Sequence, residues 1–308
     1  MANWLVTGGT GFIGRHVLRS LAGTSGVEAV ALGRRFPWGW GPRAFVTADL
    51  EQPETVARAI RAVRPEVVIH AAGRTPPGTD DDFDRVNTRA TLSLIKALAD
   101  VDRPVRVVLI GSAAELGPVP ETELPVGEDY PCRPADAYAW SKCLANCRGL
   151  LAKPPLEVVV ARVFNPVGPG LPAKQALGAF AARLLDGSTG PMVVGDLDVR
   201  RDFVDVRDVA RAVVALAVHG RSGRVYHVGT GASHRVGDGL DHFIRRSGRS
   251  VDVRINMNLV ANAGPRDSRA DVRRVVADTG WRPSIAWEQS LDDLWDEAAS
   301  RARLPLTA

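Results

Sequence analysis

The chain has 308 residues, 45% hydrophobic and 24% charged, which excludes disordered and fibrous classes and allows one large two-lobed domain or two smaller ones. Its 39 basic residues against 35 acidic ones leave a net charge of +4, scattered singly and in pairs, which suits an anionic small ligand and not a nucleic-acid surface. No apolar run approaches the roughly 20 residues of a membrane helix, the start MANWLVTGGTG has no signal-peptide pattern, and three cysteines (Cys132, Cys143, Cys147) make no disulfide framework, so a cytoplasmic protein is expected.

NWLVT (3–7) is the first predicted strand, and VTGGTGFIG (6–14) leads from it into a helix near 13–21. Glycines at 8, 9, 11 and 14 allow the tight turn and the close approach of backbone N–H groups to a pyrophosphate, whose charge the helix N-terminus favours. VEAVAL (27–32) is the second strand. An acidic residue at its end would hold the ribose 2′-OH of NAD, but ALGRR (31–35) puts Gly33 there, followed by Arg34 and Arg35. A guanidinium fork suits a 2′-phosphate, so NADP(H) is expected. Trp38 or Trp40 could cover the adenine or belong to an apolar loop. After the third strand, FVTA (45–48), Asp49 is placed either to accept from the adenine amine or to start the next helix.

Further strand–helix units follow: a helix over 54–63, EVVIHAA (66–72) with a helix over 83–98, VRVVLIGS (105–112) with a helix over 138–151, and LEVVVARV (156–163). Near-continuous apolar strands alternating with helices predict an α/β fold, a doubly wound parallel sheet of Rossmann type covered on both faces. FNPVGPGLP (164–172) must be loop; helices over 175–185 and 206–218 and a strand over 224–229 come next. Residues 1–165 with about 200–230 are expected to form the nucleotide-binding domain, and 166–199 with 231–308 a smaller, discontinuous substrate lobe. Cys143 and Cys147, four apart on one helix, read as packing, and no metal is assigned.

DAYAWSK (136–142) places Tyr138 and Lys142 four apart, on one helix face. A phenol of pKa about 10 moves protons poorly at neutral pH, and a nearby ammonium favours its ionised form. Ser112 lies upstream at a strand's carboxyl end, where such sheets do chemistry.

Taken together, VTGGTGFIG, HAAG (70–73), VNTRATL (86–92), Ser112, YAWSK, RVFNPVGPG (162–170) and RRDFVDVRDVARA (200–212) resemble the extended short-chain dehydrogenase/reductase family of NDP-sugar epimerases, dehydratases and 4-keto-reductases. The most similar branch is that of GDP-6-deoxy-4-keto-hexulose reductases and GDP-mannose dehydratases. The resemblance implies that Tyr138 is the general acid/base, that Lys142 lowers its pKa and holds the nicotinamide ribose, and that Ser112 hydrogen-bonds the reacting oxygen. It implies a cofactor wall of Gly8, Gly9, Thr10, Gly11, Phe12, Ile13, Arg34, Arg35, Asp49, Leu50, Ala71, Ala72, Gly73, Lys142 and Phe164, with Thr75, Ser112, Asn165 and Arg201 on the substrate. His70 is expected to pack behind the cofactor, Asn87 to be structural or part of its wall, and Arg200 and Arg207 to be solvated. A homodimer through the helices of Asn87 and Tyr138 is also implied.

Dehydratases of this kind carry an acidic pair directly after the hydroxyl residue, because eliminating water needs a second acid and base. Ala113 and Ala114 cannot serve, and Glu115 comes one position too late. Hydride transfer to a carbonyl needs only one hydroxyl donor and one proton source. An epimerase is harder to exclude, but the arginine pair favours exchangeable NADPH. Relatives also carry a late diphosphate arginine where this chain has Ala261; Arg266 or Arg269 could replace it, or the substrate is not a standard NDP-sugar. The expectation is an NADPH-dependent 4-ketoreductase of an NDP-6-deoxyhexose, with an NDP-sugar epimerase or a reductase of a non-sugar carbonyl as alternatives.

Overall fold

Apolar runs this continuous leave no face to water, so the strands must be covered on both sides. In the computed structural model, which describes residues 1–36, 44–260 and 264–303, they form a seven-stranded sheet. The strands are β1 (Ala2–Thr7), β2 (Val27–Gly33), β3 (Ala44–Thr47), β4 (Val67–His70), β5 (Val105–Ser112), β6 (Leu156–Val163), the short β7 (Asn165–Val167), β8 (Met192–Val194), β9 (Arg200–Arg201) and β10 (Phe203–Asp205), then β11 (Val225–Val228), β12 (His234–Arg235) and β13 (Val253–Ile255). The main sheet runs β3-β2-β1-β4-β5-β6-β11, every neighbour parallel. The fold is a doubly wound α/β sheet of Rossmann type. The chain leaves β1 toward one edge and β4 toward the other, so their carboxyl ends diverge and open a crevice.

The helices are α1 (Phe12–Leu21), α2 (Pro53–Val63), α3 (Asp80–Phe83), α4 (Ala90–Ala99), α5 (Ala137–Leu150), α6 (Ala176–Leu185), α7 (Val206–His219), α8 (Val236–Ser247), α9 (Met257–Val260), α10 (Arg273–Thr279) and α11 (Trp287–Arg303). Val17 and Leu21 of α1 and Val213 and Leu216 of α7 pack on one face, joined by Val275 of α10 and by Trp281. On the other face lie Val56 and Ile60 of α2 and Leu94 and Leu98 of α4. A third core, away from the main sheet, gathers Phe180 of α6, Phe243 of α8 and Leu291 and Trp295 of α11. A π-helical stretch (Asp84–Arg89) joins α3 to α4, and its wider turn buries Asn87 at the crevice.

Three histidines are buried as neutral rings. His16 contacts the Pro169 carbonyl through Nε2 at 3.0 Å, His70 lies between the hydroxyls of Thr7 (2.7 Å) and Thr91 (2.8 Å), and His227 contacts the Val126 carbonyl through Nδ1 at 3.1 Å. Burial lowers their pKa values to about 4, about 3 and about 3, respectively. The unfolded chain binds these protons near pH 6.5 and the folded one does not, so their stabilisation is complete above that pH and falls away as the pH drops toward 4. Each contributes a slope of up to about 1.4 kcal/mol per pH unit in that window. Urea-unfolding free energies measured from pH 7 to 4.5 should therefore fall steeply below pH 6, and His16→Gln should remove about a third of the slope these rings contribute.

Candidate active site

The site begins where β1 ends. Gly8 has φ +65°, and a Cβ there would fall 2.6 Å from the Ala72 amide nitrogen. A Cβ on Gly14 would sit on the Gly8 carbonyl. Helix α1 starts at Phe12 behind Gly11, and no side chain caps its first N–H groups. Free N–H groups at a helix start, reached over a backbone stripped of Cβ atoms, fit a pyrophosphate. Residues Gly11, Phe12, Ile13, Ala71, Ala72, Gly73, Lys142 and Phe164 of the expected cofactor wall line one continuous cavity of about 880 Å³, while Gly8, Gly9 and Thr10 form the loop behind it.

At the ribose corner the end of β2 carries no carboxylate: Gly33 faces the Phe45 ring, and Arg34 and Arg35 follow it, exposed. Asp49 has a local task, its Oδ1 accepting the Glu51 N–H at 3.1 Å in the turn before α2, with Leu50 half-buried beside it. Trp38, Trp40 and Ala261 lie outside the described residues.

Beyond β4, Asn87 clamps the loop that continues from Gly73. Its Oδ1 accepts the Arg74 N–H at 2.7 Å, and its Nδ2 donates to the Arg74 carbonyl at 3.0 Å and to the Ser141 hydroxyl at 2.9 Å. His70, buried with both ring nitrogens engaged, packs behind this loop.

Ser112 ends β5, and Asp136 starts α5 by accepting the Ala139 N–H at 2.8 Å. This brings Tyr138 and Lys142 over the strand end. The phenol faces the Ser112 hydroxyl and stands edge-on to Phe83, centroids 5.7 Å apart. Lys142 Nζ lies 3.9 Å from where a Cβ on Gly73 would be. Ser112, Tyr138 and Lys142 all line the cavity, with Thr75, Asn165 and Arg201.

The Tyr138 phenol is raised above its ordinary value, first by burial, with Glu115 and Asp136 acting the same way and only the Ser112 hydroxyl opposing. Lys142 is itself lowered by burial and does not reverse this. The phenol is therefore a protonated acid at neutral pH.

One arginine differs from expectation. Arg207, expected to be solvated, forms a bidentate pair with buried Asp205 at 2.8 Å and a second pair with Asp293. Neither Arg266 nor Arg269 is among the described residues lining the cavity, and Arg269 pairs with Asp267 at 3.2 Å. Arg200 is exposed on Ser233, as expected. Arg74, Lys174 and Asp196 on the cavity wall were not foreseen; Lys174 Nζ donates to the Thr75 carbonyl at 3.0 Å across the mouth. Arg74 directly follows HAAG and could have been inferred, but isolated loop residues such as Lys174 carry no periodic signal.

Residues 4–229 match the model of the NAD dependent epimerase/dehydratase family. The chain belongs to this family. It is 30% identical to GDP-6-deoxy-D-mannose reductase of Pseudomonas aeruginosa, over 97% of each chain. It is also 30% identical to dTDP-6-deoxy-L-talose 4-dehydrogenase (NAD(P)(+)) of Kitasatospora kifunensis, over 94% of this chain and 93% of the relative. The solved structure of RMD from Pseudomonas aeruginosa complexed with NADPH superposes with a TM-score of 0.85 at 28% identity, covering 98% of this chain and 100% of that one.

Gly14→Ala tests the loop. The added methyl must displace the Gly8 carbonyl, so affinity for a reduced nicotinamide dinucleotide, followed by its fluorescence, should weaken about tenfold to a hundredfold while far-UV circular dichroism is kept.

Proposed function

We propose that this member of the family is an NADPH-dependent ketoreductase that reduces the 4-keto group of an NDP-6-deoxyhexose. The observation that carries the reading is the pairing of Ser112 with a protonated Tyr138 on one cavity wall, with Ala113 and Ala114 where elimination would need an acid and a base. A bound reduced nicotinamide supplies the hydride. Ser112 donates a hydrogen bond to the substrate oxygen, and Tyr138 gives that oxygen its proton as negative charge develops there. Lys142, beside Gly73, is placed to hold the cofactor ribose. A raised phenol suits this direction: an acid that keeps its proton at pH 7 is ready to deliver it.

The rest of the cavity favours a dianion. Arg74, Lys174 and Arg201 reach its wall outside the catalytic group, against a single carboxylate, Asp196, among the described lining residues. Arg201, with Asn165 beside it, is our choice for the diphosphate. Arg34 and Arg35 support NADPH over NADH. Two relatives act on 6-deoxyhexoses by their names, one bound to GDP and one to dTDP, which supports the sugar class and leaves the base open. We assign residues 1–165 and about 200–230 to the cofactor domain and the remainder to the substrate lobe.

Mixed anaerobically with NDP-4-keto-6-deoxyhexoses, the enzyme should oxidise one NADPH per sugar reduced. Isomerised sugar with no net NADPH loss would make it an epimerase instead. We also propose a homodimer through the helices of Asn87 and Tyr138; on the latter, α5, Trp140 (60% exposed) and Leu144, with Leu151 just past its end, form an uncovered apolar stripe at helical spacing. In sedimentation velocity the native chain should run as a dimer and a Trp140→Glu, Leu144→Glu variant as a monomer; a monomeric native chain would reject the interface.

A further inference from the structure

Glu115 is almost wholly buried, 1% exposed, directly beneath the candidate catalytic group. Its Oε1 accepts the Ser112 N–H and an Asn146 Nδ2 hydrogen, both at 2.7 Å, and its Oε2 accepts from Arg162 Nε at 3.1 Å in an ion pair. Each donor comes from a different element. Ser112 is the end of β5, Asn146 lies one turn beyond Lys142 and two beyond Tyr138 on α5, and Arg162 is on β6, opposite Gly111. Arg162 is held in turn by His227 Nε2 at 3.2 Å and by Cys132 Sγ at 3.0 Å.

Gly111 gives independent evidence that the site is built around this carboxylate. A Cβ there would fall 2.7 Å from Glu115 Oε1 and 2.8 Å from Asn146 Nδ2, so any side chain before Ser112 would push this carboxylate and amide from their places. A buried ion pair seldom stabilises a fold more than well-packed apolar residues of the same volume would. Its position, one backbone amide from the Ser112 hydroxyl, points to a role in geometry.

We propose that Glu115 is a positioning residue of the active site, a buried carboxylate that ties the strand end carrying Ser112 to the helix carrying Tyr138 and Lys142. The assignment rests on the reading that those three groups perform the reaction. Glu115 touches neither the cavity nor the reacting atoms and acts only through its partners. With the Ser112 amide fixed by Glu115 and the Ser112 Oγ accepting the Ala114 N–H at 3.2 Å, the hydroxyl proton is left to point toward Tyr138 or substrate. The groups facing the phenol are Ser112 from the end of β5, Glu115 from the helical turn that follows it, Asp136 and Lys142 from the cap and body of its own helix, and the apolar Phe83 ring from α3. Glu115 is therefore also the negative charge behind the acid.

The test is Glu115→Gln, which keeps the size and the acceptor for Ser112 N–H but removes the charge. Turnover should fall about tenfold to a hundredfold at nearly unchanged KM, as expected for small misplacement of reacting groups. The alkaline limb of kcat should move to lower pH, because the charge that opposes phenol ionisation is gone. Tyrosinate absorbance after a rapid pH jump reads the same shift without any substrate: the chain has three tyrosines, and subtracting the Tyr138→Phe trace isolates one. Wild-type kcat with an unmoved titration, or a loss confined to Tm, overturns the proposal. If Glu115→Gln does not fold, Asn146→Ala removes only the tie to α5, and wild-type kcat in that variant overturns it equally. Failure of every NDP-4-keto-sugar as substrate would count against the ketoreductase reading alone, since the absorbance titration still decides the role of Glu115.

Discussion

The close approach of the Gly8 turn to Ala72, across the seam where β1 and β4 part, is the constraint on which the rest of the molecule depends. The two strands stay paired to their last residues, Thr7 opposite His70, but the segments that leave them turn to opposite halves of the sheet, and a crevice opens between those segments. Backbone without side chains there leaves the start of α1 accessible from the cavity. One wall becomes fit for phosphate and the opposite wall, at the end of β5, for chemistry. A side chain on Gly8 would close the seam and lose both.

From that seam outward, the sheet positions the reactive groups by register. β5 runs three residues past the last paired residue of β4 while still paired with β6, so Ser112 extends beyond the end of β4, next to the first turn of α5. The π-helical stretch before α4 brings Asn87 to the loop of Arg74 and to Ser141 on α5. Glu115 and Asn87 thus hold the same helix from below and from the side. Burial governs the charges in this space: His70 is neutral, the phenol keeps its proton, and the ammonium of Lys142 is destabilised. Those states suit a site that accepts hydride and proton together at one carbonyl.

Much of this was legible in the sequence because the relevant signals are local. The seven apolar runs and the helices between them could be read from period and punctuation alone, since a strand buried on both faces has few other ways to be written. Ser112, Tyr138 and Lys142 were legible from helical spacing and a strand end. What escaped depends on contacts between distant segments. Nothing in LEVVVARV says that Arg162 will meet Glu115, which follows the neighbouring strand β5, although a buried arginine had to find a partner. Arg207 was misread as solvated because, although its bidentate partner Asp205 is two residues away, the sequence does not show that Asp205 is buried or that Asp293, on α11, completes the site. Helical spacing likewise shows the lysine beside Tyr138, but not the Glu115 and Asp136 carboxylates that raise the phenol.

The central claim is that one neutral phenol, paired with one serine hydroxyl, supplies the proton for carbonyl reduction. It is tested most directly by single-turnover reduction in Tyr138→Phe with NADPH already bound. The account predicts NADPH affinity within about twofold of wild type, because the phenol's task is proton transfer, and a reduction rate lower by about a hundredfold to ten-thousandfold. A variant that binds NADPH normally and reduces its substrate at the wild-type rate would contradict it.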